Sequence, residues 1–177
     1  MKFDQVRYEL FQKSITTRKL FRWFWLFWGL YGLLYVAVES LIIGFDAVGL
    51  LVLGLAFAAF IFARFVVSPL IYYFYKKPRP YQKFNLTEIA YSKLLSLKTS
   101  RSNSFPSDHV LSLAAINMVI VFYYPELGYL GFVVAILVGM GRVVLGYHYP
   151  IDVVAGFVLG CLCGWLVYNL GAPILFT

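Results

Sequence analysis

Residues 128–170, GYLGFVVAILVGMGRVVLGYHYPIDVVAGFVLGCLCGWLVYNL, decide how this chain is built. Two apolar runs, Gly128 to Leu145 and Val153 to Leu170, are each close to the length a helix needs to cross a hydrocarbon core of roughly 30 Å. Only Gly146 to Asp152 separates them. Pro150 cannot continue a preceding helix but fits the first turn of a new one, so Tyr147–Pro150 is expected to form the bend. His148 and Asp152 then lie at a membrane-face turn.

Working outward, three further apolar segments appear: about Phe24 to Ile43, about Val48 to Tyr75, and Val110 to Tyr124, the last of them short. The 177 residues are 62% hydrophobic and only 13% charged, far more apolar than a soluble domain, so an all-α integral membrane protein is expected. Residues 1–177 read as one membrane-embedded domain of about five transmembrane helices, with a basic segment at 1–22 and a membrane-face loop at 76–107. Met1 to Arg22 is polar and basic and the following apolar run is long enough to remain as an anchor, so no cleavable signal peptide is expected. Cys161 and Cys163 sit in an apolar run without other metal ligands and read as small packing residues. Inside the loop, Thr87 to Leu97 is weakly amphipathic, fitting an interfacial helix and a plain connector equally well.

The short links at Gly44 to Asp46 and Pro125 to Leu127 leave no room for a site. By parity, the strings Arg79-Pro80, Phe105-Pro106-Ser107-Asp108-His109 and Gly141-Arg142 with His148 and Asp152 all fall on the opposite face. Both histidines of the chain lie in these strings. Asp152, four residues after His148, can accept a hydrogen bond from one ring nitrogen and leave the other as a nucleophile. A satisfied turn histidine with Asp152 as a helix cap is the competing reading. Phe105 to His109 reads as a stop followed by a helix start, with Ser107 or Asp108 near the cap, where free N–H groups and the dipole favour an anion. His109 can protonate a leaving oxygen and later draw a proton from water. Arg142 near a span end and Arg79 between two prolines offer guanidinium forks to phosphate. Glu39 and Arg64 lie inside apolar spans. The preferred expectation pairs them with each other; the other has Arg64 facing the site through a kink near Pro69.

These three strings resemble the signature motifs of the type 2 phosphatidic acid phosphatase superfamily, which includes bacterial acid phosphatases and vanadium haloperoxidases, over roughly Tyr72 to Leu170. The resemblance implies the helical core of that fold, a phosphohistidine on His148, His109 as acid and base, Asp152 as orienter, and Arg79, Arg142, Ser107 and Asp108 around the phosphate. It also implies that no metal or other cofactor is needed. Three departures stand out: Tyr72 replaces a lysine seven residues before Arg79, Asp108 replaces a glycine, and Gly141 replaces a serine. Lys76 or Lys77 is the candidate to supply the missing charge.

The first two departures, with Gly146-Tyr147-His148-Tyr149-Pro150-Ile151-Asp152, resemble undecaprenyl-pyrophosphate phosphatases of the bacitracin-resistance type. That implies a multi-pass cell-membrane enzyme cutting a polyprenyl diphosphate, with lipid phosphate and membrane lipids as partners and no nucleic acid. Phosphatidic acid or phosphatidylglycerophosphate as substrate is the next alternative. A non-catalytic protein that holds anionic headgroups through Arg79 and Arg142 is a third. Six of the lysines and arginines lie within Met1 to Arg22, which by the positive-inside rule puts the motif face in the cytoplasm. The resembled enzymes work on the outer face, and the two indications oppose each other.

Overall fold

The computed structural model describes residues 24, 27, 32–44, 47–83 and 103–175. The basic segment at 1–22 and the stretch Thr87 to Leu97 lie outside the described residues. The described elements are helical: α1 (Gly32–Ile43), α2 (Ala47–Ile61) passing through a π-helical turn (Phe62–Val67) into α3 (Ser68–Phe74), the short α4 (Pro80–Lys83), α5 (Asp108–Ile120), α6 (Pro125–Val144) and α7 (Pro150–Leu175). The continuous rod Ala47–Phe74, Pro125–Val144 and Pro150–Gly171 are each long and apolar enough to cross a membrane. The chain is a membrane protein built as a helical bundle.

Helix α5 has 13 residues, a rise of only about 20 Å. The expected span to Tyr124 is cut short at Ile120, where Phe122 to Tyr124 turn back onto Val119 and Ile120 through backbone hydrogen bonds. A helix too short for the bilayer survives because other helices surround it: Val110, Leu111, Ala114, Ala115 and Val119 have no exposed surface. It packs chiefly on α7, then on α6 and α2.

The α5–α7 contact is close because α7 offers no side chains there. A Cβ on Gly156 would come within 2.8 Å of the Ser107 carbonyl oxygen, one on Gly160 within 2.4 Å of that of Leu111, and one on Gly164 within 2.4 Å of that of Ala115. Glycines four apart thus face backbone positions four apart, in rising order on both helices. The two helices are parallel, and both N-termini open on the same face. In the other direction, Leu55 of α2 meets Gly171 near the end of α7, while Tyr72 of α3 donates to the Pro106 carbonyl at 3.2 Å. The C-terminal ends of α3 and α6 therefore join the N-terminal ends of α5 and α7, which is the parity expected from loop lengths.

Candidate active site

Two helix starts fix two motifs in the same way. Arg79 precedes Pro80 at the first turn of α4, and the Gln82 side chain accepts from the Arg79 N–H at 3.2 Å. Tyr149 precedes Pro150 at the first turn of α7, and Asp152 Oδ2 accepts from the Tyr149 N–H at 2.9 Å. Each is the backward half of a capping box with proline at the first helical position. Upstream, α6 closes on Gly146 with φ 75°, and its carbonyls are taken by Gly146 N to Val143 O and Tyr147 N to Arg142 O, both 3.0 Å. This Schellman turn needs a residue that tolerates left-handed backbone, which glycine does without strain. It delivers Tyr147 and His148 directly over the end of α6.

His148 is 2% exposed, and its Nδ1 lies 2.6 Å from the Ser104 carbonyl oxygen. A carbonyl only accepts, so Nδ1 carries the proton and Nε2 carries the lone pair. Asp152 does not make the expected bond to the ring. It is fully buried and takes Ser104 Oγ at 2.5 Å, Lys77 Nζ at 2.6 Å and the Tyr149 N–H. The carboxylate thus orients the serine whose carbonyl orients the imidazole. Ser104 is the residue the sequence did not point to, a serine one position before the recognisable string. Its N–H bonds to the Lys77 carbonyl at 2.8 Å, which fastens the loop before α5 to the loop after α3.

The cations fall around this ring. Arg79 and Arg142 lie with guanidinium carbons 5.9 and 5.4 Å from the Tyr147 ring centre. Arg142 Nη2 is 2.5 Å from His109 Nε2. Burial first, then Arg79, Arg142 and Lys77, push the His148 pKa down from 6.5 to about 3, although the Ser104 carbonyl works the other way. His109 is within electrostatic range of Arg142, His148, Arg64 and Arg79.

Ser107 occupies the N-cap of α5, yet its hydroxyl makes no capping bond to the helix. The buried Ser107 Oγ and Arg79 Nε have no protein partner among the described residues. Donors in that condition, beside a helix N-terminus and a second arginine, suit a multiply charged oxyanion.

The remaining expectations are redistributed. Asp108 is engaged within the protein: Ser68 Oγ donates to it and Arg64 forms an ion pair with it. Arg64 therefore does not pair with Glu39, whose carboxylate instead accepts from Tyr35 at 3.1 Å. Arg64 sits in the π-helical turn Phe62–Val67, before Pro69. Lys77 is held by Asp152 and stacked 4.3 Å over Tyr149, whereas Lys76 is exposed. Tyr72 is buried at its lysine-replacing position, and Cys163 belongs to the apolar core.

Residues 47–173 match the PAP2 superfamily, and the chain belongs to it. It is 42% identical over 66 residues to the bacitracin transport permease protein BcrC of Bacillus licheniformis, covering 37% of this chain and 32% of that protein. It is 29% identical over 107 residues to the undecaprenyl-diphosphatase BcrC of Bacillus subtilis, covering 60% of this chain and 52% of that protein. These matches span only about a third to a half of those relatives' lengths. A Bacillus subtilis phosphatidylglycerophosphatase B is 38% identical over 84 residues, covering 41% of each chain. A crystal structure of a transmembrane PAP2 type phosphatidylglycerolphosphate phosphatase from Bacillus subtilis superposes with a TM-score of 0.59 at 23% identity, over 98% of this chain and 89% of that one. That likeness establishes the shared fold.

Proposed function

We propose that this chain is a lipid phosphatase of the cell membrane, crossing it several times as one domain. It hydrolyses a polyprenyl diphosphate, undecaprenyl diphosphate to the monophosphate, through a phosphohistidine and without a metal. The observation that carries this reading is the tautomer of His148: Nδ1–H tied to the Ser104 carbonyl, with Nε2 turned into a nucleophile among Arg79, Arg142 and Lys77. The relative named an undecaprenyl-diphosphatase supports the choice of substrate.

In the first step the Nε2 lone pair forms a bond to the terminal phosphorus, and the bond from that phosphorus to the bridging oxygen breaks. His109 gives its proton to that oxygen, and the lipid monophosphate leaves. Arg79, Arg142 and Ser107 hold the equatorial oxygens. In the second step water attacks phosphorus, His109 takes the water proton, and the bond to Nε2 breaks to release phosphate. A guanidinium only donates, so the contact from Arg142 keeps His109 Nε2 unprotonated. Phosphate that draws Arg142 away frees this nitrogen to take up a proton from water, and that is the proton it gives to the bridging oxygen.

Purified protein in detergent should release phosphate from undecaprenyl diphosphate in the presence of chelator. His148→Ala should remove that activity and the trapped acid-labile phosphoenzyme. Activity that needs added divalent metal, or survives in His148→Ala, overturns the mechanism. Phosphatidylglycerophosphate is the second reading, favoured by the relative named for it, and a substrate panel separates the two. Lipid binding without turnover in the same panel would instead identify a headgroup-binding protein.

A further inference from the structure

A cavity of about 590 Å³ runs between α1, α2 and α5. Its flanks are mostly apolar, formed by side chains such as Leu53, Phe57 and Ile116, with Glu39 on the α1 side, and Arg64, Asp108 and His109 line it as well. Among the described residues of its lining, Arg64 is the one cation. The guanidinium bonds Asp108, which Ser68 also bonds from one turn further along the rod. The π-helical turn between them is closed by Ser68 N–H to the Ala63 carbonyl, a wider loop than an α-helix makes. An arginine within an apolar span is costly to keep. Asp108 lowers that cost, and with 27% of its side chain exposed Arg64 still has donors to offer.

We propose that Arg64 binds the lipid-side phosphate of a diphosphate substrate and so selects diphosphates over monophosphate esters; this deepens the reading given under Proposed function and rests on it. When the terminal phosphorus faces His148, the bridging oxygen faces His109. The next atom along the substrate then lies where His109, Arg64 and Asp108 meet the apolar cavity. In a diphosphate that atom is a phosphorus bearing charged oxygens, and Arg64 can bond them. In a monophosphate ester it is a carbon, to which Arg64 offers nothing. As the bond to the bridging oxygen breaks, its electron pair passes to the lipid monophosphate, and Arg64 stabilises that charge while His109 supplies the proton. Asp108 acts as a positioning residue: it holds the guanidinium towards the cavity and away from the lipid face of the rod.

The test compares farnesyl diphosphate with farnesyl monophosphate in detergent, using wild type, Arg64→Gln and Arg64→Lys. Arg64→Gln should lower kcat/KM for the diphosphate by about 10- to 100-fold and the monophosphate value by much less, so that the ratio of the two falls. Arg64→Lys keeps a charge for Asp108 but gives up the planar fork, and should lower the ratio by about threefold or more. Equal losses on both substrates mark a merely structural residue and overturn the proposal, as does an unchanged ratio in Arg64→Lys should Arg64→Gln fail to fold. Wild type that cleaves neither substrate, or a His148→Ala variant that still cleaves both, brings down the phosphatase reading itself and this proposal with it. A diphosphate preference that survives both Arg64 variants brings down this proposal alone.

Discussion

An imidazole whose Nδ1–H is tied to a carbonyl and whose neighbours are three cations resists a second proton. The His148 pKa of about 3 lies below the ordinary 6.5, so between those values the unfolded chain binds a proton that the folded chain does not. The stability from keeping the ring neutral is therefore complete above about pH 6.5 and is lost as the pH falls through that window. The His148 ring itself stays unprotonated through mild acid, so under the proposed mechanism a loss of activity between pH 6.5 and 5 comes from other groups. With only two histidines in the chain, ¹⁵N spectra of histidine-labelled wild type and His109→Gln assign each ring. His148 should keep the neutral pattern from pH 8 to pH 5; titration near pH 6.5 would contradict the burial and charge described above. The gathering of His148 and the arginines at one end was legible because few polar side chains interrupt so apolar a chain. The roles of Ser104, Lys77 and Asp152 were not, because a backbone carbonyl does the orienting, and sequence spacing cannot display which carbonyl a loop presents.

Helices α5 and α7 bring their starts together only because Gly156, Gly160 and Gly164 let backbone meet backbone. A side chain at Gly160 would meet the Leu111 carbonyl at 2.4 Å and the Ala114 Cβ at 2.7 Å, neither of which can turn aside. Gly160→Leu should therefore destabilise the protein by about 1–3 kcal/mol and separate Ser107 from the Asp152 carbonyl, now 3.0 Å from the Ser107 N–H. Gly54 has open space at its Cβ position, so Gly54→Ala serves as the neutral comparison. Thermal unfolding in detergent reads the difference, and a Gly160→Leu midpoint equal to that of Gly54→Ala would refute the packing argument. Apolar length announced the spans on both sides of Gly146 to Asp152 without ambiguity. The same measure overestimated α5, since a helix enclosed by others follows the length of its neighbours' contact and not the thickness of the membrane. The partner of Arg64 was misjudged for a related reason: the π-helical turn changes which residues of the rod face inward, and periodicity counted at 3.6 residues per turn misses it.

Taken as one body, the bundle places every candidate catalytic group at one end and Glu126 at the other. Parallel α5 and α7, with α2 and α6 running against them, leave no alternative that keeps the hydrogen bonds between Tyr72 and Pro106 and between Ser107 and Asp152. Lys83 and Glu126 are both exposed and mark the two faces. In a chain lacking its own cysteines, Lys83→Cys and Glu126→Cys should react with a membrane-impermeant maleimide from opposite sides of intact cells. Labelling of both from one side contradicts the antiparallel order of α5 and α6. The same experiment separates two physical influences on orientation. Six basic residues before Phe24 draw the motif face inward by the positive-inside rule, whereas a substrate delivered at the outer leaflet requires that face outside. Arg79, Arg142, Lys77 and Arg64 are each engaged in the site and carry charge for reasons other than topology. The basic residues of the N-terminal segment, together with Lys76, Lys83, Lys93, Lys98 and Arg101 of the motif-face loop, are therefore the ones that set the count. Exchanging the N-terminal six for glutamine should reverse the labelling pattern if they orient the chain, and leave it unchanged if the loop's basic residues or the spans fix the insertion.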